Sequence, residues 1–356
     1  MKCIILLLAV LLLSIQVAAL PRVVARDGPF DTVIVLVDEA GKPIKYVTDA
    51  ANGLLSQFQP KPEPDPKPEP KPDPKPDPKP DPKPEPKPEE TEPNTDARVP
   101  HGISYSPYNA DGTCKTQSQV NADIARIQPQ YAFVRIYGVD CDQTHTVTTA
   151  ARKHNMQVFA GIYDLQDYAS SLQTIIKAAS SDWSTIHTIS IGNELVNRGQ
   201  ATPQQMVQAL QQARDTLRPA GYQGPIVTVD TFTMLLAHPE LCTASDYCAA
   251  NCHAFFDATQ SAAGAGAYVA GKAGEISRKA DGKRVVITES GWPHAGQANG
   301  KAVPSVENNR AAVQSLRESF RGNPADLVLF SAFDDAWKKD GEGTFGAERF
   351  WGIHGL

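Results

Sequence analysis

The sequence predicts an α/β fold, a (β/α)8 TIM barrel, over residues 99–356. Three observations carry this. Eight short apolar runs rich in β-branched residues recur at 102–106, 132–137, 157–163, 187–192, 226–230, 249–255, 285–288 and 327–333. The segments between them carry helical spacing: Val120, Ile124 and Ile127; Met206, Val207, Leu210, Ala213 and Leu217; Ala311, Val313, Leu316 and Phe320. Strands that alternate with helices imply parallel βαβ units. The stretch is also close to the ~250 residues typical of an eightfold barrel. A doubly wound open sheet is the alternative, but no Gly-x-Gly-x-x-Gly turn follows the first strand.

Three parts precede the barrel. Residues 1–19 read as a signal peptide: Lys2 gives a positive start, an apolar stretch runs from Cys3 to Leu13, and Val17, Ala18 and Ala19 are small enough for cleavage. That stretch is shorter than the ~20 residues needed to cross a bilayer. A secreted, extracellular protein with no membrane partner is expected. Residues 20–59 are a short segment whose role is not readable, with a possible strand–turn–strand over 31–47. Residues 60–98 form a linker. Within it, 60–88 alternate fifteen prolines with seven lysines and seven acids, so the tract is neutral and offers nothing to a core. It should extend as a polyproline II spacer of roughly 90 Å, at about 3.1 Å per residue.

The formal charge of -6 and pI near 5.8 argue against nucleic acid as a partner. Of six cysteines, Cys3 belongs to the signal. Cys248 and Cys252 lie beside His253, but their spacing does not match a zinc site, and secretion favours disulfides. No metal or cofactor is expected. Cys114 falls in the loop after the first strand and Cys141 just past the second. Neighbouring barrel strands bring such loops together, so these two should be bonded, a contribution on the order of 3 kcal/mol. Among Cys242, Cys248 and Cys252, one should be free. A monomer is expected.

The chemistry is concentrated in two glutamates. Glu194 ends the fourth strand, in Ile191-Gly192-Asn193-Glu194, and Glu289 ends the seventh, in Ile287-Thr288-Glu289-Ser290-Gly291-Trp292-Pro293. Barrel sites are built at the C-terminal ends of strands, where the two would converge. Cleaving a glycosidic bond requires such a pair, one carboxyl protonating the leaving oxygen and the other attacking or stabilising the sugar. Arg135 and Lys338 are strand-end cations that could keep Glu289 ionised, or could equally form surface ion pairs. Tyr105, Tyr108, Tyr137, Phe256, Trp292 and Trp337 fall at or just past strand ends, where aromatic faces suit pyranose rings. Trp292 and Trp337 are the favoured sugar platforms. His253 could line the groove or simply pack.

These residues, with Gly102-Ile103-Ser104-Tyr105-Ser106-Pro107-Tyr108, Val134-Arg135-Ile136-Tyr137-Gly138-Val139-Asp140-Cys141, Phe333-Asp334-Asp335-Ala336-Trp337-Lys338 and Trp351-Gly352-Ile353, resemble glycoside hydrolase family 17 in its fungal cell-wall branch. The likeness runs through the whole predicted barrel. It implies a retaining β-1,3-glucan hydrolase of the cell wall, with Glu194 as proton donor and base and Glu289 as nucleophile. It implies that Asn193 binds the sugar 2-hydroxyl. Tyr105, Tyr137, Trp292, Trp337 and Lys338 are expected to contact the β-glucan as well. The branch usually carries Glu where Asp335 stands. A β-1,3-glucan transglycosylase, or a non-hydrolytic glucan-binding wall protein, are the alternatives.

Overall fold

The computed structural model describes residues 101–179 and 181–355, and three backbone segments further upstream, 22–26, 33–37 and 43–48. The expected signal at 1–19 and linker at 60–98 lie outside the described residues. The upstream segments are strands β1 (Arg22–Arg26), β2 (Val33–Val37) and β3 (Pro43–Thr48), an antiparallel sheet in that order. The expected strand–turn–strand is β2 and β3, and β1 adds a third strand that the sequence reading did not include.

The second unit is a closed barrel of eight parallel strands. In chain order they are β4 (Gly102–Ser104), β5 (Phe133–Arg135), β6 (Gln157–Ile162), β7 (Ile186–Asn193), β8 (Ile226–Thr231), β9 (Cys248–Asn251), β10 (Val285–Ser290) and β11 (Leu327–Leu329), with β11 closing on β4. The crossovers are helical: α1 (Gln117–Ile127), α2 (Gln143–Arg152), α3 (Tyr168–Ala179) and α4 (Pro203–Leu217), then α5 (Phe232–Ala237) with α6 (Pro239–Ala244), α7 (Ala265–Lys279) and α8 (Val306–Ser319). Helix starts follow local chemistry. Thr116 with Gln119 and Thr202 with Gln205 form reciprocal capping boxes, and Pro203 occupies the first turn of α4. Each helix then turns its apolar stripe inward, as with Val120, Ile124 and Ile127 of α1.

Two apolar layers result. The larger lies between strands and helices. The smaller fills the lower barrel interior, with Phe133, Phe159, Val227, Val229, Tyr247, Ala249, Val286 and Val328. Phe133 is large enough that a Cβ on the neighbouring Gly102 would meet its ring at 2.3 Å, so the first strand needs glycine there.

Several strands end earlier than the sequence suggests. β9 stops at Asn251 because the chain turns into a 3₁₀ segment at Ala254–Phe256. After β11 the described chain forms no helix but folds over the barrel mouth. Ser331 N–H bonds Trp351 O at 3.0 Å, and Gly352 N–H bonds Asp334 Oδ1 at 2.8 Å. That return brings Trp337, Lys338 and Trp351 to the C-terminal face.

Candidate active site

At that face the loops enclose a cleft of about 900 Å³, and both Glu194 and Glu289 line it. Each is delivered by an irregularity of one residue in its strand. Ser190 pairs with Val227 but Asn193 with Val229, three residues against two. Ile287 pairs with Ala250 and Glu289 with Asn251, two against one. An extra residue bends a strand and re-aims its side chains. On β7 the bend uses Gly192 at φ 77°, where an added Cβ would come within 2.8 Å of Met206 Cε. Glu194 follows at φ 56°, a left-handed conformation uncommon for a side-chain-bearing residue. On β10 the bend turns two successive side chains inward. Thr288 donates to Asn251 Oδ1 at 2.9 Å, and Glu289 meets Arg135.

The two carboxyls sit in unlike surroundings. Glu289 is buried, accepts from Arg135 Nη1 at 2.8 Å, and faces His253 Nε2 at 3.3 Å. Burial by itself would raise its pKa. The Arg135 charge, the His253 contact and Lys338 outweigh burial and hold it at about 2. Glu194 accepts from Asn251 Nδ2 at 2.8 Å. Burial first, and then the charge of Glu289, push its pKa up against that bond. One carboxyl is therefore kept ionised and its neighbour is biased toward the protonated form.

Arg135 organises the floor of the cleft. Its guanidinium also donates to Thr288 O and to Asn193 Oδ1, each at 2.8 Å, and lies 4.4 Å from the Tyr137 ring centre. It is 1% exposed, so its pair with Glu289 is not a surface ion pair. Tyr137 donates to Ser104 Oγ at 2.9 Å, and burial followed by the charge of Glu289 raises its phenol, so it remains a donor.

Of the other residues expected at the site, Asn193, Tyr137, Trp337 and Lys338 line the cleft, as do Tyr108, His253 and Phe256. Tyr108 and Trp337 pack with ring centres 4.8 Å apart. Asp335, although shorter than Glu, still reaches Lys338 Nζ at 3.1 Å. Two expectations are corrected. Tyr105 is 2% exposed and bonds Asp123 of α1 at 2.7 Å; alternation along the strand turns Ser104 inward and Tyr105 outward. Trp292 is fully buried against Phe255, with its indole N–H on Val303 O at 3.0 Å. Neither lines the cleft.

Sequence reasoning missed Asn251, which links Glu194, Asn193, Thr288 and Arg135. It lay inside the run 249–255, and only the early end of β9 exposes it at the strand terminus. Tyr163, also on the cleft wall, was missed for the same kind of reason.

Cys114 and Cys141 form a disulfide with Cα atoms 5.3 Å apart, joining the loops after β4 and β5 next to the Tyr108–Asp140 hydrogen bond. Cys242 pairs with Cys248, and Cys252 is free, its thiol pushed by burial to about 12 and so unreactive.

Residues 102–352 match the family described as the BtgE/BtgC glycoside hydrolase domain. The cell surface mannoprotein MP65 of Candida albicans is 43% identical over 71% of this chain and 66% of its own length. The probable family 17 glucosidase SCW4 of Saccharomyces cerevisiae is 44% identical over 71% of this chain and 64% of its own. The chain thus spans about two thirds of those relatives. A Rhizomucor miehei β-1,3-glucanosyltransferase, solved as an active-site mutant with laminaritriose, superposes with a TM-score of 0.63 at 21% identity, over 72% of this chain and 92% of that one. At that identity the likeness concerns the fold. The chain belongs to glycoside hydrolase family 17.

Proposed function

We propose that this protein is a secreted retaining glycoside hydrolase acting on β-1,3-glucan of the cell wall. The observation that carries it is the opposite bias of two carboxyls facing one cleft, Glu289 held ionised and Glu194 pushed toward its protonated form. Double-displacement chemistry needs that asymmetry. Glu289 attacks the anomeric carbon and forms a glycosyl ester while Glu194 protonates the departing oxygen. Glu194, now ionised, takes a proton from water, which breaks the ester. Asn193 spends its Oδ1 on Arg135 and Asn251, which leaves its Nδ2 hydrogens for a sugar hydroxyl. Tyr137, Trp337 and Lys338 form walls suited to a pyranose ring.

Two disulfides support an oxidising compartment, and the cell-surface name of one relative supports the wall as its location. Among the described residues no helix is long and apolar enough to cross a membrane.

Proton NMR of early reaction points on β-1,3-oligosaccharides tests the reading. The β-anomer should emerge first. Glu194→Ala should still attack substrates with good leaving groups, and added azide should restore turnover as a β-glycosyl azide. Initial α-anomer would overturn the assignment of Glu289. Products longer than the starting sugar would mark glucan transfer by the same pair.

A further inference from the structure

We propose that Tyr163, held by Arg198, is a stacking platform for a glucosyl unit outside the bond-cleaving position; this deepens the functional reading above and rests on it. Three large hydrophobic side chains are well exposed among the described residues, and Tyr163, at 43%, is one of two that line the cleft. Its carbonyl accepts from Asn193 N at 3.0 Å, so it stands beside the residue preceding Glu194. Arg198 fixes the ring from one side. Its guanidinium lies 4.6 Å from the ring centre and donates to the Tyr163 hydroxyl, while Nη2 donates to Asn193 O at 2.7 Å. One face thus rests on a cation, and the residue stays 43% exposed where it lines the cleft. A ring already ordered loses little freedom on binding, and its flat face suits the C–H side of a sugar. Asp164 and Asp167 line the same wall and would accept from hydroxyls, whereas they would repel phosphate or another anion.

The test is kcat/KM of Tyr163→Ala and Tyr163→Phe on β-1,3-gluco-oligosaccharides from disaccharide to hexasaccharide. For Tyr163→Ala the loss should grow with chain length and reach about tenfold, the size of one aromatic contact. It should fall mainly on KM, and Tyr163→Phe should recover most of it. The same loss at every length, or none at any, would overturn the platform. Wild-type inactivity on the whole series would instead remove the functional reading beneath it.

A different observation carries a second inference. Glu194 holds a left-handed backbone, and the turn after it ends on a buried carboxylate. Asp230 of β8 is 1% exposed and accepts from Val196 N at 2.9 Å, Asn197 N at 3.2 Å and Thr231 N at 2.8 Å. We infer that Asp230 is a positioning residue that sets the aim of Glu194. Strained backbone persists only where its surroundings over-determine it: two amides of that turn bond the buried carboxyl, and the third bond, from Thr231 N, holds the carboxyl itself in place. Asp230→Asn keeps the volume but offers one accepting oxygen instead of two. It should lose on the order of 10²-fold on a phenyl β-glycoside, the range for proton transfer, and far less on the dinitrophenyl analogue. Melting curves would check the fold. An equal loss on both substrates in a folded variant would overturn the inference. Glu194→Ala run in parallel must show the same dependence; if it does not, the functional reading fails instead.

Discussion

Phe133 and Arg135 point into the barrel two residues apart on β5, yet they belong to layers that obey different rules. The layer around Phe133 is apolar and buried, and its few polar groups are satisfied in place. Tyr247 donates to Thr188 Oγ1 at 2.9 Å, and His187 stacks on Phe133 at 4.3 Å, where burial lowers its pKa to about 4 and leaves it uncharged. The layer around Arg135 holds a buried cation, a buried carboxylate and two amides joined by hydrogen bonds. Apolar filling is non-directional and degrades gradually when atoms are removed. A buried polar network holds only while each member has its partner. Stability and chemistry are thus separated along the strands of one barrel.

The most severe test of that separation is Arg135→Met. Glu289 would lose the main charge holding its pKa down, and kcat/KM should fall on the order of 10²- to 10³-fold, as for loss of one preorganised charge-stabilising group. The acid limb of the pH–rate profile should move upward, and an unmoved limb would mean that Arg135 does not set the ionisation of Glu289.

Phe133→Ala probes the lower layer alone. It should cost about 3–5 kcal/mol in denaturant unfolding, with turnover per folded molecule close to wild type. A collapse of turnover in a folded variant would show that the layers are coupled.

The smallest effect concerns stability and pH. Glu194 has a raised folded pKa, so its contribution is present below its unfolded pKa and lost as pH rises through the folded one. Glu194→Gln cannot ionise and should melt above wild type at neutral pH, with the gain vanishing below about pH 4. Glu289 has a depressed pKa, so its contribution is present above the unfolded value and lost as pH falls toward about 2. Glu289→Gln should therefore melt below wild type at neutral pH. Each kcal/mol should appear as about 2–4 °C, and calorimetric shifts of the same sign in both variants would contradict the asymmetry.

Much of this was legible beforehand. The apolar stripe of α1 and the apolar runs leading to Glu194 and Glu289 are local patterns, and local patterns survive folding. The proximity of Cys114 and Cys141 followed from strand order alone. Which way a strand-end aromatic points was not legible. Tyr105 and Trp292 were expected in the cleft and lie in the core, because a change of one residue in where a strand ends reverses the face a side chain takes.

The sequence by itself therefore determined the barrel, the two carboxyls and the chain positions from which they come, since periodicity and turn chemistry act over a few residues. Only the tertiary structure decided that Arg135 is buried, that Asn251 joins the two carboxyl environments, and that one glutamate's pKa is pushed down and the other's up. Those properties come from groups up to 154 positions apart meeting in a space without water, where charge and hydrogen bonding are set by neighbours that no local pattern identifies.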